Sequence, residues 1–231
     1  MNVLVACEES QRVCLAFRDL GHEAYSCDIQ EPSGGHPEFH ILGDVLQFLN
    51  PFHNGIRFVT LDGNYHYISR WDLIIAHPPC TYLSNAGNAY LSLPGRHEKT
   101  LSAFDFFMKF VNADCDFICI ENPAGYANSH YRPADQTIHP YFFCSSPDDL
   151  ENYQLKRTCL WLKNLPPLFY SVPLLPPPPP YSITLRSDGS VKNRYFVEST
   201  HSSKIRSKTF PAVAAAMASQ WSNLSLQLSL F

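Results

Sequence analysis

Four short apolar runs in this chain each stop abruptly on residues with chemistry of their own. Asn2–Ala6 leads into Cys7-Glu-Glu-Ser10 and Ala24–Cys27 into Asp28. Asp72–Ala76 leads into His77-Pro-Pro-Cys80 and Phe117–Ile120 into Glu121-Asn-Pro123. Unbroken apolar runs of this length suit strands buried on both faces. The intervening segments carry helical periodicity. Ser10 is placed to cap a helix with Val13, Cys14, Phe17 and Leu20 on its apolar face, ended by Gly21. Leu101, Phe104, Phe107, Met108 and Val111 form one face over residues 98–112. This alternation predicts an α/β fold, Rossmann-like, with a mostly parallel, doubly wound sheet. Ligands bind beyond the C-terminal strand ends of such sheets. Asp28, Asp44 (closing Ile41–Asp44), Cys80 and Glu121 are therefore expected along one edge.

The rest of the chain divides into recognisable stretches. Residues 56–68 alternate around Asp62-Gly63, which predicts a small β-hairpin insert. After residue 164 the periodicity breaks, and Pro166-Pro167 and Pro176–Pro180 predict stiff extended chain. Pro211–Trp221 predicts an Ala-rich helix with Val213, Met217 and Trp221 on one face, and residues 222–231 a frayed tail. The expected organisation is a body over 1–164, a short Pro-rich and basic segment over 165–205, and a C-terminal helical segment over 206–231 that packs back on the body.

Charge follows the same division. The net charge of −4 is the sum of a net −10 over residues 1–150 and +6 over 151–210. An acidic body joined to a basic segment keeps a polyanionic partner possible. The eight cysteines are scattered without a C-x-x-C pair and read as reduced thiols. No run approaches the ~18 apolar residues of a membrane span, and the first residues lack the pattern of a signal peptide. His36-Pro-Glu-Phe-His40 lacks a third spaced ligand, so no metal site is expected.

Cys80 follows two prolines directly after a buried strand, which fixes it rigidly at the cleft edge. The next strand brings Glu121 to the same edge. A thiol and a carboxyl group at adjacent strand ends suit covalent addition coupled to proton transfer. No phosphate-cradling glycine loop is present. Glu8 and Glu9 in the first loop repel a pyrophosphate and suit a cationic ligand. Asp28 is placed to accept from ribose hydroxyls and Asp44 from an adenine amino group. An adenosine-bearing, cationic cofactor without phosphates is S-adenosylmethionine.

His77-Pro-Pro-Cys-Thr-Tyr-Leu-Ser-Asn-Ala-Gly87 resembles the Pro-Pro-Cys-x-x-x-Ser-x-Ala-Gly segment of DNA cytosine-5 methyltransferases. Glu121-Asn-Pro123 resembles their Glu-Asn-Val turn, and Gln154-Leu-Lys-Arg157 is similar to their Gln-x-Arg-x-Arg strand. Ser207-Lys-Thr-Phe-Pro211 resembles their C-terminal Gly-Asn-Ser-Val-Pro segment, and small phage and prophage methyltransferase-like proteins share more of these phrases. The family's Phe-x-Gly-x-Gly loop has no glycine counterpart here. The resemblance implies methyl transfer from S-adenosyl-L-methionine to C5 of a flipped cytosine through a covalent Cys80 adduct, with Glu121 at the base N3 and Arg157 beside the base. It implies cofactor contacts from Cys7, Glu8, Ser10, Asp28, Ile29, Asp44, Val45, Pro78 and Thr209. It implies DNA contacts from Ser84, Asn85, Gly87, Asn122, Lys156, Arg157 and Arg206. It further implies a cytoplasmic protein of a bacterial or phage-infected cell, monomeric or else a homodimer, without a membrane partner.

Two other readings stand beside this one. An amino-group DNA methyltransferase has a related Asp-Pro-Pro-Tyr loop, but here position 77 is His and position 80 is Cys. A catalytically inactive cofactor- or DNA-binding protein on the same fold is favoured by the missing glycines and disfavoured by Cys80 and Glu121.

Overall fold

The computed structural model describes residues 1–50, 55–85, 93–170, 173–180, 182–194 and 206–223. Its centre is a seven-stranded sheet. In chain order the strands are β1 (Asn2–Ala6), β2 (Glu23–Asp28), β3 (His40–Leu42), β6 (Leu73–Ala76), β7 (Ile118–Asn122), β8 (Gln136–Ile138) and β9 (Thr158–Lys163). In space they run β3-β2-β1-β6-β7-β9-β8. The five strands from β3 to β7 are parallel, and β9 is antiparallel to both neighbours. The protein is thus α/β with a mostly parallel sheet, as the apolar runs predict.

The first crossovers move outward from β1 to β2 and β3, and the chain then returns to β6 on the other side of β1. Strand order reverses there, and in sheets of this kind ligands bind beyond the strand ends at such a reversal. Backbone register places Ala6 beside Ala76, and Ala76 beside Ile120. The residues that follow these three therefore emerge at one level.

Two cores cover the two sheet faces. On one, Val3, Val5, Leu73 and Ile75 pack with Val13, Cys14 and Phe17 of α1 (Arg12–Asp19), and with residues of the C-terminal helix. On the other, Leu4, Ile74 and Ile118 pack with Phe107 and Phe110 of α2 (Arg96–Val111). The hairpin of β4 (Ile56–Val59) and β5 (Tyr65–Ile68) joins that second core through Ile56, Phe58 and Ile68, beside Trp71. Gly63 at its turn has φ 90°, a left-handed conformation that the Asp62-Gly63 signal supplies. A short helix, α3 (Tyr126–His130), follows β7.

Several expectations are corrected. Leu20 is 51% exposed and Leu101 46%, while Thr100 and Phe110 are buried in α2. Leu20 lies just past the end of α1, whose Val13, Cys14 and Phe17 are buried as read, while α2 is turned slightly from the face read in the sequence. Glu121 and Asn122 belong to β7 itself rather than to a turn beyond it. Residues 154–157 precede β9 and form no strand. Another hairpin, β10 (Ser182–Leu185) with β11 (Val191–Arg194), lies in the basic segment. Its outward apolar residues and weak alternation hide it from a periodicity search.

The last helix, α4 (Pro211–Trp221), buries Val213, Met217 and Trp221 as expected, with Ala214 and Ala218. Trp221 is fully buried, and its indole N–H donates to the Pro166 carbonyl at 3.1 Å. Replacing Trp221 with Ala should lower unfolding free energy by about 3–5 kcal/mol. Leu20→Ala should change it by no more than about 0.5 kcal/mol. Urea unfolding followed by circular dichroism measures both.

Candidate active site

The loops that leave β6 and β7 are held together by backbone. His77 emerges level with Glu121, and its Nδ1 lies 3.2 Å from Glu121 Oε2, with the side chains 7% and 22% exposed. Asn122 Nδ2 donates to the Pro78 carbonyl at 2.7 Å. Pro78 and Pro79 contribute no N–H of their own. The chain then turns tightly, with the N–H groups of Leu83 and Ser84 both donating to the Cys80 carbonyl at 3.0 Å. Beyond the turn, Ser84 forms an antiparallel bridge with Gly125. Asn85 N–H donates to Ala124 O at 3.1 Å, and Tyr126 N–H to Leu83 O at 2.7 Å. Gly125 makes this approach possible, because a Cβ there would lie 1.9 Å from the Leu83 carbonyl oxygen. Buried Leu83 anchors the turn, and Cys80 stands exposed at its start.

Charges converge on this frame. Burial alone would lower the His77 pKa. The hydrogen bond and charge of Glu121, with the charge of Glu8, outweigh burial and the opposing Lys156, so the net shift is upward. Burial would raise the Glu121 carboxyl, but His77 and then Lys156 bring it below the usual range. Both shifts favour the charged form of each partner, so the pair is biased toward imidazolium and carboxylate. The Cys80 thiol is raised by partial desolvation and by Glu121, and pulled down by Lys156 and Arg206. Lys156 Nζ donates to the Arg206 carbonyl at 2.7 Å and lies 5.3 Å from the Phe210 ring. Four separate segments, 77–80, 121–122, 156 and 206, therefore meet.

Arg157 differs from expectation. It is exposed, and the group that feels its charge is His139. Adjacent side chains diverge here, and Lys156 is the one turned toward Cys80 and Glu121.

The loop after β1 solves the absence of glycine in another way. Cys7 and Gln11 themselves adopt left-handed φ values of 59° and 60°. Cys7 N–H donates to Cys27 O at 2.7 Å. The Glu8 carboxylate accepts from the N–H groups of Val13 at 2.6 Å and Cys14 at 3.1 Å, so it, and not Ser10, caps α1. Burial pushes the Glu8 carboxyl up to about 7, against the pull of His77 and the two amides. Buried Gln11 donates to the His36 carbonyl at 2.8 Å and accepts from His36 N–H at 3.1 Å. Ser33 N–H donates to Glu9 O at 2.8 Å. These bonds fold the segment after β2 against the first loop.

The predicted cofactor residues divide accordingly. Glu8 is engaged by α1, and Val45 is buried in the core. Asp44 is exposed and caps the turn over Val45–Phe48 by accepting from Leu46 N–H at 3.0 Å. Asp28 accepts from Gln30 N–H at 2.9 Å. Desolvation raises the Cys7 thiol pKa, and the charges of Asp28 and Asp44 raise it further, so both carboxylates lie near Cys7. Ile29, beside Asp28, is 78% exposed. The Thr209 carbonyl accepts from Arg12 Nη1 at 2.9 Å, and Arg12 also pairs with Glu151 at 2.8 Å. Ser10 and Pro78 are buried at the loop bases. Gly87 lies outside the described residues. His40 is fully buried on Ser26 and the Gln30 carbonyl, and His36 faces Glu38. Among the described residues no cluster of three or more metal-ligating side chains occurs.

Sequence reasoning passed over His77, Gly125 and Gln11. The one signal in the sequence was Gly125, four residues past Glu121 in an Asn-Pro-Ala-Gly stretch. Comparison with known proteins returns no matching family model and no significant match among curated sequences. Among the described residues no helix is long and apolar enough to cross a membrane.

Gly125→Ala should force the loops after β6 and β7 apart, destabilising the fold by roughly 1–3 kcal/mol. It should also change the rate of Cys80 alkylation by a small thiol reagent at least threefold. Urea midpoints and mass-resolved alkylation check the two effects.

Proposed function

We propose that the protein is a DNA cytosine-5 methyltransferase using S-adenosyl-L-methionine. The observation that carries this reading is the exposed Cys80, held by backbone bonds beside Glu121 at adjacent strand ends next to the sheet's reversal point. The motif resemblance assigns the same two residues to addition at a cytosine ring, and their arrangement supports that chemistry.

The thiolate of Cys80 forms a bond to C6 of a cytosine flipped from the duplex. Electron density moves into the ring toward N3, which takes a proton at Glu121. Asn122 fixes the Pro78 carbonyl, and so the start of the Cys80 loop. Asp28 and Asp44, with exposed Ile29 as an apolar platform, fit an adenosyl group bearing positive charge. When bound, S-adenosylmethionine supplies an electrophilic methyl group for the C5 carbon made nucleophilic in this way. Loss of the C5 proton to solvent water afterwards restores the ring double bond and expels Cys80 as the thiolate. Lys156 and Arg206 are suited to DNA phosphates beside the flipped base. The β10–β11 hairpin carries exposed Arg186 and Lys192, and a two-stranded ribbon of this kind fits the major groove.

One observation favours a second reading, a cofactor- or DNA-binding protein without transfer. Glu8, which the sequence assigns to the cofactor, is spent on α1. A duplex containing 5-fluorocytosine, incubated with S-adenosylmethionine, separates the two. A denaturation-resistant adduct is expected with the native protein, and none with Cys80→Ala. Binding without adduct would support the second reading, and methylation that survives Cys80→Ala would support amino-group transfer. Duplex affinity should fall steeply as salt rises, since phosphate contacts release counterions. A flat salt response would remove Lys156 and Arg206 from the DNA surface.

A further inference from the structure

We infer that His77 is a positioning residue for Glu121, storing on its imidazole the proton that Glu121 delivers to the substrate base. This rests on the cytosine reading above. A carboxylate between an imidazolium and a lysine is ionised at neutral pH and has no proton of its own to give.

The geometry supplies the missing proton. His77 lies in the turn that the two prolines and Asn122 hold, with Nδ1 3.2 Å from Glu121 Oε2. Its Nε2 is buried with no hydrogen-bond partner among the described residues. The ring therefore has one outlet for a proton, through Nδ1 to Glu121. The other Glu121 oxygen has no hydrogen-bond partner among the described residues, and the partly exposed side chain leaves it for the ligand. Three charged groups act on His77. They are Glu121 from β7, Glu8 from the loop after β1, and Lys156 from the segment before β9. The carboxylates favour the protonated ring and Lys156 opposes it.

The transfer balances. As the Cys80 sulfur bonds to C6, the C5=C6 pair shifts through C4 and charge appears on N3. N3 takes the proton from Glu121 as Glu121 takes the Nδ1 proton of His77, leaving a neutral imidazole and a neutral adduct. When the C6–S bond later breaks, the pair returns to sulfur, and the N3 proton goes back through Glu121 to His77. The couple consumes no proton overall.

The pair holds one proton between the lowered pKa of Glu121 and the raised pKa of His77. Adduct formation should rise with pH as the Cys80 thiolate forms, then level off above 6.5, where His77 empties. In His77→Gln the carboxyl must hold the proton unaided, so the bend moves to lower pH. Each unit of displacement lowers the plateau about tenfold, with duplex affinity unchanged. A bend that stays in place would overturn the inference.

A second measurement needs neither DNA nor cofactor. His77 ring resonances, assigned by their loss in His77→Gln, should titrate above 6.5 in the wild-type protein. In Glu121→Gln they should titrate below it, since burial then dominates. A wild-type titration below 6.5 would overturn the inference even if Glu121→Gln fails to fold. No adduct in the wild-type protein, with the titration as expected, would instead overturn the cytosine reading and with it the proton's destination.

Discussion

The contact between the Leu83 carbonyl and Gly125 sets the terms for the rest of the site. Two strands side by side in a sheet fix only the points from which their loops depart. Here the loops after β6 and β7 stay together for several residues. Asn85 and Tyr126 donate across the gap, and Ser84 pairs with Gly125. Such bonds satisfy backbone groups that partial burial would otherwise leave unpaired. They also transfer the sheet's rigidity to Cys80, which is what a reacting nucleophile requires. No side chain fits at position 125, so the arrangement depends on one missing Cβ.

The loop after β1 reaches a comparable fixity at a higher conformational cost. Left-handed backbone at Cys7 and Gln11 costs roughly 1–2 kcal/mol per residue. Compensation comes from the groups that hold the loop. Glu8 satisfies two orphan amides of α1, and Gln11 ties down the segment at His36. The same bonds explain why Glu8 is a poor candidate for a ligand. The Glu8 carboxylate is committed to the first turn of α1, whereas Asp28 and Asp44 lie near Cys7.

Much of the sheet was legible because its strands are buried on both faces, and a short unbroken apolar run between turn residues fits little but a buried strand. Cys80 and Glu121 stood out as candidates for a related reason, each having reactive chemistry close behind an apolar run. The site's supports were not. His77 looked like part of a proline turn, since nothing in its local sequence reveals a carboxylate 44 positions away. Gln11 lacks the glycine that usually marks a left-handed residue. Lys156 and Arg157 are adjacent and equally basic, and their order in sequence cannot say which one turns inward. β8 is three residues long and β10 is mostly exposed, so neither shows the apolar period that marks a strand.

Charge ties the distant parts together. Residues 1–150 carry a net −10, and the basic segment would gain little by lying anywhere on that body at random. Specific bonds decide where it returns. Arg12 holds Thr209 and Glu151, Asn152 accepts from Ala212 N–H at 2.9 Å, and Lys156 holds Arg206. The result sets two cations beside a thiol and a buried carboxylate at the sheet edge. Burial and then Glu121 raise the Cys80 thiol, and those cations oppose them. His77 answers that opposition by neutralising Glu121 from behind. Without it, Glu121 would face Cys80 as a bare carboxylate. The buried imidazole therefore eases the placing of Cys80 and Glu121 near one another.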